Sequence, residues 1–460
     1  MKLYRTSIFA LSVIQIASCK SRKFNSDNST ATKSISTTEL DVNDVSFLFP
    51  IPKTKEEFSG LLNFKVVATD GAALVPKNIF DQVIAKSREV SFDPEFSSLA
   101  GTPRPQFAAE YSAWRIVGFR FDPCASSTKH AEIRSISELK NCLFEIRLIA
   151  QPFQPESSPQ TPTGKPVENA QKLNVFKTSD FAMHLIFEVP VENQASTLTQ
   201  LVSDLRVLKG SSSIETTGEP LSVHPTMSRE GIGAEGKYAK LLRQTILKYT
   251  GGTKLTSIAF SGLLGGDKSW GFMSVPVDSK TQTVGAHVKI PDLPSQRQAN
   301  RMSGLSSCCT FDPPLITEEP NMQTMGTFLI KTAQIKPGGD DLLKFQQDKA
   351  NIQEFKQNLK LSLKLENPSA QSQFEGNCVS CHVATPFKHL SATNMNQDIS
   401  QIADYLTPNG KTTKADLKSL NVSPWRVRNF GYLNEIPIIS QRTINESAAV
   451  ADLVSRIVPE

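Results

Sequence analysis

A chain of 460 residues with 50 Lys and Arg against 45 Asp and Glu carries a formal charge of +5. The charge is spread without any basic block, which excludes a phosphate-tracking surface and with it nucleic acid as a partner. A hydrophobic content of 39%, with 26 Phe to fill cores, is that of a globular protein large enough to bury a core without relying on disulfides.

At the N-terminus, Lys2 and Arg5 precede an apolar run over 7–16 that is too short to span a bilayer and ends in Ile16-Ala17-Ser18-Cys19. This reads as an export signal. The four residues resemble the lipobox of bacterial lipoproteins. That resemblance implies removal of residues 1–18 and a diacylglycerol thioether on Cys19. With Lys20 rather than Asp after the cysteine, it further implies delivery to the outer membrane, facing the periplasm or the cell surface. The membrane, reached through this lipid anchor, is therefore the first expected partner. Residues 19–44 follow as a flexible tether, rich in Ser, Thr, Asn and Lys and too poor in large apolar residues to offset chain entropy.

Residues 45–340 read as one α+β domain. Period-two runs predict strands over 114–121, 143–150, 173–176, 181–189, 255–260 and 270–275, the last two joined by a turn at Gly265-Gly266-Asp267. In the second run Phe144, Ile146 and Leu148 take one face, while Glu145 and Arg147 take the other, as in a half-buried strand. Helices are expected over 196–208 and 237–249, the second stopped by a left-handed cap at Gly251-Gly252. The Pro-rich stretch 151–166 is expected as a surface loop. Cys124 and Cys142 flank a loop of 17 residues between two strands, and a disulfide between them is predicted. The adjacent pair Cys308-Cys309 stays open, cross-pairing with Cys124 and Cys142 being its alternative. Gly231-Ile232-Gly233-Ala234-Glu235-Gly236 matches a dinucleotide-binding spacing but follows no strand, so it reads as a glycine-rich helix entry.

Residues 341–460 form a smaller, mainly helical C-terminal region. A helix is expected over 341–356 and a strand over 359–365, where Leu359, Leu361, Leu363 and Leu365 alternate with polar residues. At the end, Thr443-Ile444-Asn445-Glu446 has the pattern of a capping box opening a helix over 447–457. The overall expectation is an α+β protein: a large β-rich domain, antiparallel sheet or sandwich, followed by this helical region.

Between them lies Cys378-Val379-Ser380-Cys381-His382. On a helical turn, positions three and four apart share a face, so two thiols and an imidazole project together. The run resembles the attachment motif of c-type cytochromes. The resemblance implies a cytochrome c-like region in which haem c is held covalently by Cys378 and Cys381, with its iron on His382. Single-electron exchange with a redox partner protein would follow. Chain reach favours Met395 as the second iron ligand. A chain crossing between haem faces travels about 20 Å, which thirteen residues cover with slack and the seven to His389 barely do. Phe374, Phe387, Tyr405 and Trp425 are the apolar residues expected to shield the group. A five-coordinate iron, and with it an enzyme, is a further reading. Zinc lacks a second cysteine pair, and a thioredoxin-like dithiol lacks its βαβ unit. The remaining alternative is a plain Cys378–Cys381 disulfide in a structural or interaction lipoprotein. No constellation of a hydrolase can be argued from the six histidines.

Overall fold

A computed structural model describes residues 39–89, 106–125, 127–154, 177–178, 181–214, 216–231, 233–264, 269–286, 328–331, 363–371, 384–385, 430–433 and 435–458. Its first described element corrects the expected tether over residues 39–44. Leu40 to Asp44 are buried, and α1 (Val42–Val45) opens with a capping box in which Asp41 and Asp44 each bond the other's end of the turn. Composition alone reads this stretch as polar linker, yet Leu40, Val42 and Val45 enter the core and Asp44 meets Lys209 at 2.8 Å. A second short helix, α2 (Lys55–Gly60), follows, capped by Thr54.

The strands are β1 (Ser46–Leu48), β2 (Trp114–Asp122), β3 (Phe144–Gln154), β4 (Lys177–Thr178), β5 (Ala182–Val189), β6 (Leu255–Leu264), β7 (Ser269–Asp278), β8 (Thr283–Val284) and β9 (Phe328–Lys331). They form one antiparallel sheet in the order β1-β2-β3-β5-β6-β7-β8, with β4 beside β3 and β9 beside β7. The fold is thus α+β with a large antiparallel sheet, as the period-two runs predict. Gln151 to Gln154 continue β3 rather than opening the expected surface loop. Gln151 is held there because its side chain bonds both the N–H and the carbonyl of Tyr432.

Register divides the sheet into two unlike faces. Phe119 pairs with Leu148 and Leu148 with Leu185; Phe121 pairs with Ile146 and Ile146 with Phe187. All six are buried, each aromatic or branched side chain adding about 1.5–3 kcal/mol. Helices α3 (Lys77–Glu89), α4 (Gln194–Gly210), α5 (Pro225–Arg229) and α6 (Lys237–Tyr249) belong to this core. Phe80 of α3 meets Trp114, while Phe47 stacks on Phe119 and meets His224 at the start of α5. Helix α4 is tied to α6 where Asp204 accepts from Lys248 and Tyr249. Helix α6 ends at Tyr249 with Thr250 in extended conformation as its cap, and Gly251 beyond it has φ of +147° rather than the expected left-handed cap. A Cβ there would sit 2.3 Å from the Asp70 carboxylate, so the glycine serves a close approach.

The other face carries Arg120, Asp122, Glu145 and Arg147. The sequence reads it as half-buried, but helix α7 (Gln441–Ile457) seals much of it. Nearly all of α7 is buried, and Ser447 comes within 2.7 Å of Ser46 on β1. The hairpin of β10 (Gly431–Leu433) and β11 (Ile436–Ile438) docks beside it, where the Tyr432 hydroxyl donates to the Phe49 carbonyl. Residues 430–458, grouped by sequence with the motif-bearing region, therefore pack into the same core as the sheet. The other expected elements after residue 340 fall outside the described residues, with one exception: residues 363–366 are helical, not extended as the leucine alternation suggests. Over seven residues, period two does not separate a strand from a helical piece with tertiary partners.

Candidate functional site

Cys19, Cys308, Cys309, Cys378, Cys381, His382, His389 and Met395 lie outside the described residues, as do Phe374, Phe387, Tyr405 and Trp425. What the structure does describe is how the chain is held on each side of the motif. Upstream, the short helical piece ending at Glu366 leaves carbonyls without intrahelical donors. Arg442 Nη1 donates to the Leu365 carbonyl at 3.0 Å, and Asn445 Nδ2 donates to that of Glu366 at 2.8 Å. Downstream, the Thr385 hydroxyl accepts from the Gln441 N–H at 2.8 Å. That N–H begins α7 and is one of its orphan donors. Another, two residues on, is met by Ser440, whose hydroxyl accepts from Thr443 N at 3.2 Å. Both flanks of the motif thus hang from the first turn of one helix.

The capping box expected at Thr443 to Glu446 is replaced by this arrangement. The N-cap is Ser440, and Glu446 faces inward. Its carboxylate bonds Arg120 Nη2 and Arg442 Nε, each at 2.6 Å, with both ion pairs almost wholly buried. Burial alone would raise the Glu446 pKa; Arg442, then Arg120, outweigh it and hold the group at about 2. On the same sheet face Arg147 pairs with Glu145, and His130 Nε2 lies 2.9 Å from Asp122. Burial lowers the His130 pKa, but Asp122 and then Glu446 bring it above the ordinary value.

In comparisons with known proteins, no family model, no curated protein and no solved structure matches this chain. The chemistry must therefore be read from the residues themselves. Among the described residues no group of three His, Cys, Asp or Glu could hold a metal ion. No described helix is long and apolar enough to cross a membrane.

Cys124 and Cys142 form a disulfide with a Cα–Cα distance of 4.6 Å. The loop it closes also grips α7: Arg456 donates to the His130 and Ala131 carbonyls at 3.1 and 2.9 Å. Replacing both cysteines with alanine is expected to lower unfolding free energy by about 3 kcal/mol, read from denaturant midpoints. A loss well under 1 kcal/mol would show that the Arg456 contacts alone fix the loop.

The glycine-rich run is not a phosphate cradle. Gly231 and Gly233 take positive φ, and Gly236 is the N-cap of α6. The position a phosphate would need is filled by Glu230, whose carboxylate accepts from Tyr238 N at 3.1 Å. A Cβ on Gly236 would sit 1.8 Å from that carboxylate. A carboxylate at the helix start repels an anion there.

Sequence reasoning missed the buried polar groups around α7 and α4. His224 accepts from Thr226 N at Nδ1 and meets the Tyr238 hydroxyl at 3.1 Å through Nε2. Burial, with Lys209 nearby, lowers its pKa to about 3, so it is a neutral helix cap rather than an acid or base in solvent. Their only sequence signal is charge inside an otherwise apolar pattern, as with Glu446 and Asp452 in α7.

Proposed function

We propose that this protein is an exported, lipid-anchored haem c protein that transfers single electrons. The observation that carries the reading is the order and spacing Cys378-Val379-Ser380-Cys381-His382, together with the apolar run over 7–16 and the lipobox-like Ile16-Ala17-Ser18-Cys19 that follows it. The donor set fits the group: two thiols for the two vinyl side chains and one imidazole for iron. Cys378 and Cys381 would hold haem c covalently, His382 would bind its iron, and Met395 would supply a second iron ligand. When bound, the group supplies a one-electron iron couple whose potential a thioether ligand raises. Support also comes from the α7 anchorage of residues 365, 366 and 385, which ties the motif's flanks to a buried, rigid body. Lipid on Cys19 would keep the protein at the outer membrane, with the redox partner a second protein.

The test is expression of the full chain in a host able to mature c-type cytochromes. One haem per polypeptide is expected by pyridine haemochrome, with none in Cys378→Ser/Cys381→Ser. Met395→Ala is expected to lose the low-spin spectrum while keeping the haem. Cys19→Ser is expected to release the protein from the membrane fraction. Colourless parent protein with Cys378 bonded to Cys381 would overturn the reading in favour of a structural or interaction lipoprotein.

A further inference from the structure

We infer that His130 is a pH-sensitive clasp: its protonated imidazole, paired with Asp122, fastens the loop closed by Cys124 and Cys142 to β2, and through that loop holds the last turn of α7 on the sheet. The clasp is firm in acid and loosens as pH rises. It does not depend on the haem reading.

Charge pairing between α7 and the sheet singles out this histidine. Glu446 takes Arg120 and Arg442, Glu145 takes Arg147, and Asp452 takes Arg456. Asp122 is left to His130, whose Nε2 lies 2.9 Å from its Oδ1; among the described residues no arginine or lysine pairs with it. On the histidine's own loop Lys129 pairs with Glu132 at the surface and Arg134 donates to the Ala131 carbonyl, so both cations are otherwise engaged. Asp122 needs a cation because it stands opposite Glu145 in the register of β2 on β3, and Glu145 stands opposite Glu188 of β5. Three acids run side by side across three strands, and like charges directly opposite one another destabilise a sheet.

His130 is also a mechanical link. Its side chain bonds the end of β2, while its carbonyl and that of Ala131 accept from Arg456 at 3.1 and 2.9 Å. The disulfide closes the loop, so a shift at one contact disturbs the other. His130 and Asp122 are both buried, so salt screens their pairing little. Burial alone lowers the His130 pKa, but Asp122 and then Glu446 of α7 raise it above the ordinary 6.5, with Arg442 opposing. A group whose pKa is higher folded than unfolded stabilises the native state fully below the unfolded value, and this contribution is lost as pH rises through the folded one.

Hydrogen exchange of the full chain between pH 6 and pH 9, corrected for intrinsic rates, tests the clasp. Protection of residues 450–458 is read against that of α6 in the same molecule. In the parent it should fall several-fold as pH rises, with a midpoint above 6.5. His130→Gln keeps an N–H donor without a charge, and Asp122→Asn removes the acid; in both the profile should not fall. A flat parent profile, a midpoint below 6.5, or a parent-like fall that persists in either variant overturns the clasp. Should one variant fail to fold, the other supplies the comparison. Should both fail, the parent midpoint decides alone.

Discussion

Replacing Glu446 with alanine is expected to destabilise the protein by about 3–5 kcal/mol, the range for removing one partner of a buried ion pair. The carboxylate stands between Arg120 and Arg442 at 2.6 Å to each, and the side chains are no more than 8% exposed. Its loss leaves two guanidinium groups close together in the core, with Arg147 paired next to Arg120 on the neighbouring strand. Glutamine keeps the shape and part of the bonding but not the charge, so it should fall between alanine and parent. The same group sets an acid limit. Its folded pKa, about 2, lies below the ordinary 4.5 of the unfolded chain. Its contribution is therefore complete above pH 4.5 and is lost as pH falls toward 2. Urea unfolding of parent and Glu446→Gln between pH 7 and pH 2.5 checks this: the parent should lose stability over the acid range, and the variant should lose less. A cost below 1 kcal/mol for alanine would mean that water reaches the site and replaces the carboxylate.

Local patterns made much of the sheet body legible. Alternation places β2, β3, β5, β6 and β7 within a few residues, because one face of each is apolar. The expected helices at 196–208 and 237–249 match α4 and α6 to within two residues at each end. The disulfide was legible for a similar reason: two cysteines bracket a connection between strands that pair. What failed depends on partners far away in sequence. The pattern at 443–446 is that of a capping box, but Glu446 bonds an arginine 326 residues earlier. Residues 40–44 look like linker because nothing local shows that Lys209 and the Glu219 and Pro220 carbonyls will receive them. Gln151 looks like the start of a loop because Tyr432, which it bonds twice, is 281 residues away. The candidate site divides in the same way. The proposed Cys378-to-His382 site is contiguous and so readable, whereas the helix that bonds residues 365, 366 and 385 is the last described element, and no local signal links the two.

The second large effect concerns Lys209 and Asp44, which join α4 to α1, the first described helix. Lys209 Nζ donates to Asp44 Oδ2 at 2.8 Å and to the Glu39 carbonyl at 2.7 Å, fastening residues 39–44 to the end of α4. Burial raises the Asp44 pKa above 3.8 even with Lys209 beside it, so here desolvation outweighs the pair, the reverse of Glu446. Lys209→Met removes the cation that pairs with Asp44 while filling the space of the aliphatic stem, and burial then acts on Asp44 with little opposition. The expected cost is again about 3–5 kcal/mol at pH 7. The sign of its pH dependence follows from the raised value. A carboxyl that binds its proton more tightly when folded favours the native state at low pH, and this is lost as pH rises through the folded pKa. The Lys209→Met defect should therefore shrink on acidification because the variant gains stability as Asp44 binds its proton, whereas the Glu446→Gln defect shrinks because the parent loses it. Adding Asp44→Asn should restore much of the stability at pH 7, because a neutral amide needs no counter-ion and still accepts from Asp41 N, which now bonds Asp44 at 2.7 Å. Urea midpoints of the single and double variants at pH 5 and pH 7 decide the matter. A single-variant defect independent of pH, or a double variant no better than Lys209→Met, would show that Lys209 acts through its bond to the Glu39 carbonyl and not through the charge of Asp44.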